Sequence, residues 1–445
     1  MSYSFFLRLR AWTILASGLF AVECFGAATA PLKFDFGSAA SERGAVLVAP
    51  DMLFTKERGF GFEPGAKVEQ TERGVVSDQP FYFSARVPAE GNYRVSVTLG
   101  DPKRATTTTI KAELRRLMVE KISTAAGEFE TVSFIVNTRV PQIAATDGIR
   151  AGIVRLKAPR ETTAEARAWD NLITLEFNNA RPAVCAIDIA RVDLPTIFVL
   201  GDSTVCDQSA EPYNSWGQML TRWFDGNVAI ANHGESGETY RDSIGRRRLD
   251  KIVSVMKPGD WLVVQFGTND QKQIAAGTGG PFTTYKDEIL AHIQAVRARG
   301  GEMIVVSPVE RRGFDDQGKP TRSLADYAEA ARQAAKEFGV PFIDLNAMTL
   351  KLHEALGPEK SAAAFAAPGG KVDNTHHNSY GSYQIAKCVV QSLRDQRLPL
   401  AKFIVDDFKD FDPASPDPVE NFSVPPSPNF TNDRPLGDEP PAPKK

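Results

Sequence analysis

Between residues 31 and 194 the apolar positions come in short runs that alternate with polar ones or are rich in β-branched side chains. Phe81-Tyr82-Phe83 and residues 93–99, 129–136 and 172–177 are such runs. Turn formers separate them: Pro88-Ala89-Glu90-Gly91-Asn92, Ala126-Gly127 and Asn178-Asn179. A period of two, with no helical period between most runs, predicts strands. Strands this short predict an all-β sandwich of jelly-roll, galactose-binding-like type. Residues 110–120 have some helical character and are read as mostly strand.

From Thr196 the pattern changes to alternating strand and helix. Strand-like runs fall at 196–200, 228–231, 261–266, 303–307 and 340–343, and helix-like runs at 215–224, 243–256, 285–299, 323–338 and 380–396. Gly300-Gly301 and Gly339 stand where helices stop. This alternation predicts an α/β domain with a doubly wound parallel sheet of about five strands and helices on both faces. The run at 196–200 leads straight into Gly201-Asp202-Ser203-Thr204, a buried strand ending in a tight turn. Ligands of open α/β sheets bind beyond the carboxyl ends of the strands, so that turn places a serine where chemistry takes place.

The two ends of the chain read differently. Arg8 and Arg10 precede an apolar run at 11–22, and Gly26-Ala27-Ala28-Thr29-Ala30 supplies small residues for cleavage. Residues 1–30 are therefore expected to be a secretory signal peptide, making the protein secreted or periplasmic. No later run is long enough to cross a bilayer. Residues 412–445 hold ten prolines and few aliphatic side chains. Too little apolar surface to offset ordering entropy predicts a disordered Pro/Asp-rich tail over 405–445. The expected units are 1–30, a sandwich over 31–194 as a possible carbohydrate-binding domain, a catalytic domain over 195–404, and the tail.

A chain of 445 residues accommodates two full cores. The formal net charge is −3, and without residues 1–30 the chain holds 50 basic and 54 acidic residues. Neither nucleic acid nor an anionic membrane surface is an expected partner. Cys185, Cys206 and Cys388 remain beyond the leader, too few for more than one internal disulfide. Spacing alone leaves any pairing open, with three buried thiols as the alternative. Neither a C-x-x-C pair nor a Cys/His cluster points to a metal, and no cofactor is expected.

The chemistry centres on Ser203, whose hydroxyl attacks only if a base takes its proton. Of five histidines, His292 and His353 lie in helix-like runs, and His233 adjoins a glycine block and is a candidate pocket residue. His376 and His377 lie in a polar loop before the last helix. Asp373 stands three residues before His376, so one turn can set carboxylate beside imidazole, the orienter and base of a serine triad. Asn374 occupies that offset from His377, which is left with a substrate-side role. The candidate oxyanion donors are the backbone N–H groups of Ser203 and Gly234 and the side-chain amide of Asn269. Asp202 is expected to hold the turn. Trp216, Tyr240 and Arg241 are candidates for contact with sugar or uronate. The competing reading packs Trp216 in the core and leaves Arg241 on the surface.

Four blocks in this order, Gly201-Asp202-Ser203-Thr204, Asn232-His233-Gly234-Glu235-Ser236-Gly237, Gly267-Thr268-Asn269-Asp270 and Asp373-Asn374-Thr375-His376, resemble those of the SGNH (GDSL-type) hydrolases. Within them the set looks most like the rhamnogalacturonan acetylesterases, carbohydrate esterase family twelve. The resemblance covers about residues 196–398. It implies a small doubly wound sheet, a Ser203–His376–Asp373 triad and release of acetyl groups from acetylated polysaccharide, pectin foremost. Phe34-Asp35-Phe36-Gly37 and Arg58-Gly59-Phe60-Gly61-Phe62 resemble the domain that precedes some bacterial members, with Phe60 and Phe62 either a sugar-stacking platform or core. The alternatives are an SGNH lipase or thioesterase acting on another acyl ester, and an inactive glycan-binding protein.

Overall fold

The computed structural model describes residues 30–39 and 44–435; all but the last residue of the expected leader, residues 40–43 and residues 436–445 lie outside the described residues. Strand Gly91–Gly100 shows how the first half folds. Tyr93, Val95, Val97 and Leu99 are buried, while Arg94, Ser96 and Thr98 face outward. Such a strand covers a core on one face only, so a second layer must close it. Two five-stranded sheets do this. One runs in the order Phe129–Thr138, Gly91–Gly100, Ala186–Val192, Leu32–Asp35, Val46–Leu47. The other runs Phe60–Phe62, Phe81–Arg86, Leu172–Asn178, Thr106–Ala112, Arg116–Thr124.

Phenylalanines fill the space between the sheets. Phe81 stacks on Phe177 at 5.0 Å, and Phe83 meets Phe34 and Phe36 edge-on at 5.1 Å. Phe62 is fully buried and Phe60 packs beside Phe34, so the suggested sugar platform belongs to the core instead. Burial of each such ring is worth about 1.5–3 kcal/mol, more than an exposed stacking role returns without ligand. Residues 110–120 form parts of two strands, Thr106–Ala112 and Arg116–Thr124. Glu113 and Arg115 turn between them in left-handed conformation (φ 57° and 64°).

The second half is a five-stranded, wholly parallel sheet in the order Ala229–Asn232, Thr196–Gly201, Trp261–Gln265, Glu302–Val306, Phe342–Ile343. Within strand Thr196–Gly201, residues 197–200 are apolar without interruption because both faces are covered. Ile197 and Val199 join Trp216, Met219 and Val389 in one core, while Phe198 and Leu200 join Ile252, Ile289 and Ala331 in the other. Chain order reverses around this strand, which makes it the switch point of the sheet.

The helices follow the expected places with informative differences. The first is short, Trp216–Leu220, opened by a capping box in which Ser215 and Gln218 exchange hydrogen bonds. The helix expected at 243–256 is two, Tyr240–Gly245 and Arg248–Val255, broken at Arg247 in left-handed conformation. Helix Leu345–Lys360 was not anticipated; its apolar positions are too irregular to mark one face.

The disorder expected from residue 405 does not hold through residue 435. Phe408, Phe411 and Val424 are buried in the catalytic core. Lys111 Nζ donates to Pro425 O at 2.7 Å, and Ser427 Oγ donates to Glu176 at 2.8 Å. A few apolar anchors and side-chain hydrogen bonds hold a segment that has no repeating pattern of its own.

Candidate active site

Ser203 lies just past the carboxyl end of strand Thr196–Gly201, in a turn fastened on both sides. Asp202 Oδ1 accepts from the Thr204 N–H at 3.0 Å and the Thr204 hydroxyl at 2.8 Å, the turn-holding role expected of it. Trp216 Nε1 donates to Gln265 Oε1 at 2.8 Å, and Gln265 Nε2 donates to Thr204 Oγ1 at 2.7 Å. Trp216 is thus a buried brace behind the serine turn rather than a sugar contact.

His376 arrives from the far end of the chain. Its Nε2 lies 3.0 Å from Ser203 Oγ and its Nδ1 2.8 Å from Asp373 Oδ2. The other carboxylate oxygen of Asp373 accepts the backbone N–H groups of Thr375 and His376 at 2.9 and 3.2 Å, so the three-residue offset closes as a turn. Burial acts to raise the pKa of Asp373. The hydrogen bond and charge of His376, the Thr375 N–H and the Arg434 guanidinium outweigh it and hold the carboxyl below its ordinary range. Arg434, from the tail, contacts Asp373 at 3.1 and 3.2 Å. Tyr213 meets the His376 ring edge-on at 5.6 Å.

The three loops that meet here leave neighbouring strands of one sheet edge. Strand Trp261–Gln265 is followed by Gly267, whose φ of 135° suits glycine and turns the chain toward Asn269. Asp270 closes this turn by accepting the Gly267 N–H at 2.9 Å. Lys272 Nζ donates to Asn269 Oδ1 at 3.1 Å, and Asn269 Nδ2 donates to Glu238 O at 3.2 Å. Both ends of the amide are thereby oriented, with a second N–H on the nitrogen. Gly234 departs from expectation. Its N–H donates to Asn232 Oδ1 at 3.1 Å, and a Cβ there would sit 3.1 Å from the Cys206 backbone. A side chain there would press tightly against the serine loop.

Asp207 lies outside the four sequence blocks, and Asn232, which opens the second of them, carries a role that its block does not announce. Asn232 Nδ2 donates to Val205 O at 2.7 Å and Asp207 Oδ1 at 2.8 Å, tying the serine loop to the glycine loop. Arg116 of the N-terminal sheets donates to Asp207 Oδ2 at 2.7 Å, with both side chains buried. A second clamp from the same half holds the glycine loop. Lys157 Nζ and Arg160 Nη2 donate to Ser236 O at 2.6 and 3.1 Å, and Arg160 pairs with Glu235. Only the unremarkable Asp at 207 and Asn at 232 signalled these links, and no spacing rule joins them to Arg116.

The other candidates lie elsewhere. Tyr240 is fully buried among Phe266, Tyr285 and His292, because it opens a helix whose inner face is core. Arg241 is half-exposed but tied to Glu288 Oε1 at 2.8 Å and Thr278 O at 3.1 Å. His377 is buried against Phe365 at 4.3 Å; burial, then the charges of His353 and His376, push its basicity well down. His233 faces a cavity between the two halves rather than Ser203. Among the described residues, no group of three or more His, Cys, Asp or Glu is placed to hold a metal ion, and Cys185, Cys206 and Cys388 are buried and unbridged.

Residues 199–382 match the GDSL-like Lipase/Acylhydrolase family. The chain is 35% identical over 220 residues to rhamnogalacturonan acetylesterase RhgT of Bacillus subtilis, covering 47% of this chain and 94% of that protein. It is 31% identical over 211 residues to the probable rhamnogalacturonan acetylesterase YesY of the same organism, covering 47% and 97%. It is 26% identical over 416 residues to the uncharacterized esterase YxiM, also of Bacillus subtilis, covering 87% and 99%.

Proposed function

Because this chain belongs to the GDSL-like lipase/acylhydrolase family and is a carboxylic ester hydrolase, we propose that it is a secreted serine esterase removing acetyl groups from plant cell-wall polysaccharide, rhamnogalacturonan first. The observation that carries this reading is the single imidazole of His376, 3.0 Å from Ser203 Oγ on one side and 2.8 Å from Asp373 on the other.

In this mechanism Ser203 Oγ attacks the acetyl carbon while His376 Nε2 takes its proton. The negative charge on the former carbonyl oxygen is met by the Ser203 N–H and the Asn269 amide, with the Gly234 N–H contributing as Asn232 yields it. His376 then protonates the departing sugar oxygen, leaving an acetyl ester on Ser203. Water attacks that ester as His376 takes its proton, and acetate leaves as Ser203 recovers its hydrogen. Asp373 holds the imidazole in the tautomer that keeps Nε2 facing the serine.

The names of RhgT and YesY support rhamnogalacturonan as the substrate. Ser203 and His376 are 0% and 1% exposed, and so enclosed a site suits a two-carbon acyl group better than a long one. Residues 1–30 fit a signal peptide, which places the enzyme outside the cytoplasm beside an acetylated polysaccharide; neither nucleic acid nor membrane belongs to this reading. The N-terminal sandwich is of jelly-roll type in this account, and it braces the catalytic loops through Arg116, Lys157 and Arg160. The test is acetate release from acetylated rhamnogalacturonan, acetylated xylan, and short- and long-chain acyl esters. Fastest release from rhamnogalacturonan supports the proposal; a preference for long acyl chains overturns it.

A further inference from the structure

Between the N-terminal sheets and the catalytic domain lies a cavity of about 670 Å³ whose lining includes none of Ser203, Asp373 or His376. Val255, Asp193 and Lys257 form its exposed side. Arg139, Asn137, Thr138 and His233 lie deep within it, at 4%, 8%, 3% and 1% exposure.

These four carry polar atoms that nothing in the described protein satisfies. Arg139 Nε and Nη1, His233 Nδ1, Asn137 Oδ1 and Thr138 Oγ1 are buried without a hydrogen-bond partner. Leaving such groups unmet costs about 1–3 kcal/mol each, more where charge is involved, so a cluster of them marks a place for a ligand. The donors are also held in place. The Arg139 guanidinium lies over the Trp169 ring at 4.5 Å, and Trp169 meets His233 edge-on at 6.0 Å. Asn137 Nδ2 donates to Asn92 Oδ1 at 2.7 Å, which fixes the direction of Asn137 Oδ1.

The charge balance favours an anion. Arg139, Arg191, Lys251 and Lys257 line the cavity against the carboxylates of Glu90 and Asp193. Those two acids are already paired, Glu90 with Lys251 at 2.7 Å and Asp193 with Lys257. Among the described residues no carboxylate forms an ion pair with Arg139. Burial and then Arg116 bring its pKa down to about 9, so it stays charged near neutrality. Burial, with the charges of Arg139 and Lys251, pushes His233 well down; the ring is neutral and offers one donor and one acceptor.

We propose that this cavity binds a hydroxylated carboxylate of monosaccharide size, its carboxylate on Arg139 and its hydroxyls on Asn137 Oδ1, Thr138 Oγ1 and His233. A guanidinium fork matches a carboxylate, and amide and hydroxyl oxygens accept from hydroxyl groups. The site adjoins Gly234 through His233, its chain neighbour, whose own N–H donates to Val199 O at 2.7 Å.

The test is calorimetric titration of the full chain with galacturonate, galactose and acetate, alongside crystals soaked in galacturonate. Galacturonate is expected to bind one to one, with both galactose and acetate at least about tenfold weaker, and Arg139→Met is expected to weaken galacturonate by a similar factor. Density for a carboxylate beside the Arg139 guanidinium is expected in the soaked wild-type crystal, which keeps the proposal testable if Arg139→Met does not fold. Galactose or acetate binding as tightly as galacturonate, unchanged affinity in folded Arg139→Met, or an empty cavity in a soaked crystal would each overturn it.

Discussion

Arg116, on a strand of the N-terminal sheets, donates to Asp207 at 2.7 Å, and Asp207 sits in the loop that carries Ser203. Asp207 in turn accepts from Asn232 Nδ2, and Asn232 Oδ1 accepts the Gly234 N–H. One buried ion pair therefore connects the non-catalytic half to two of the four blocks that build the site.

Removing one member of that pair leaves its partner charged and buried. Arg116→Met is expected to destabilise the protein by about 3–5 kcal/mol. Activity at a temperature where the variant remains folded should also fall, because the glycine loop loses its tether. Thermal melting and acetate release measured together check both. Unchanged melting would contradict the role given to the pair.

Asp373→Asn keeps the shape of the carboxylate but reverses what it offers His376 Nδ1. A triad treated this way loses about 10⁴-fold in kcat. Steady-state kinetics check it, and a loss below about tenfold would contradict the tautomer argument.

Asn269→Ala removes a donor oriented by Lys272 and Glu238. The expected loss is about 10²–10³ in kcat with KM little changed, since the interaction strengthens only as charge develops on oxygen. A change confined to KM would place Asn269 in substrate binding instead.

Arg434 belongs to the Pro/Asp-rich C-terminal segment and contacts Asp373. Arg434→Gln should let the pKa of Asp373 rise, so the acid limb of the rate profile moves to higher pH. The sign for stability follows from linkage. Asp373 is depressed in the folded state, so its contribution is present above the ordinary aspartate range and lost as pH falls through the lower folded value. The variant should lose this acid resistance, as melting against pH would show.

Much of this was legible from residues alone. Ser203, His376 and Asp373 stand in blocks whose chemistry constrains them tightly, and residues 197–200 are apolar throughout because two cores claim the faces of their strand. Trp216 and Tyr240 were misread because an aromatic beside a catalytic block has the same sequence signature whether it meets sugar or core; only the burial of their helices decides. The tail was misread because Phe408, Phe411 and Val424 anchor it one residue at a time. The Arg116–Asp207 link was invisible because it joins positions ninety-one apart through a fold that neither residue announces.

The central claim, that Ser203 is activated by His376, is tested most directly by a serine-reactive phosphonate followed by peptide mapping. The account predicts one adduct per chain on the peptide containing Ser203, with acetate release lost in proportion. It also predicts neither labelling nor release in folded Ser203→Ala, and slow labelling in His376→Ala. Full occupancy of Ser203 with undiminished acetate release, or a folded Ser203→Ala variant that still turns over acetylated substrate, would contradict it.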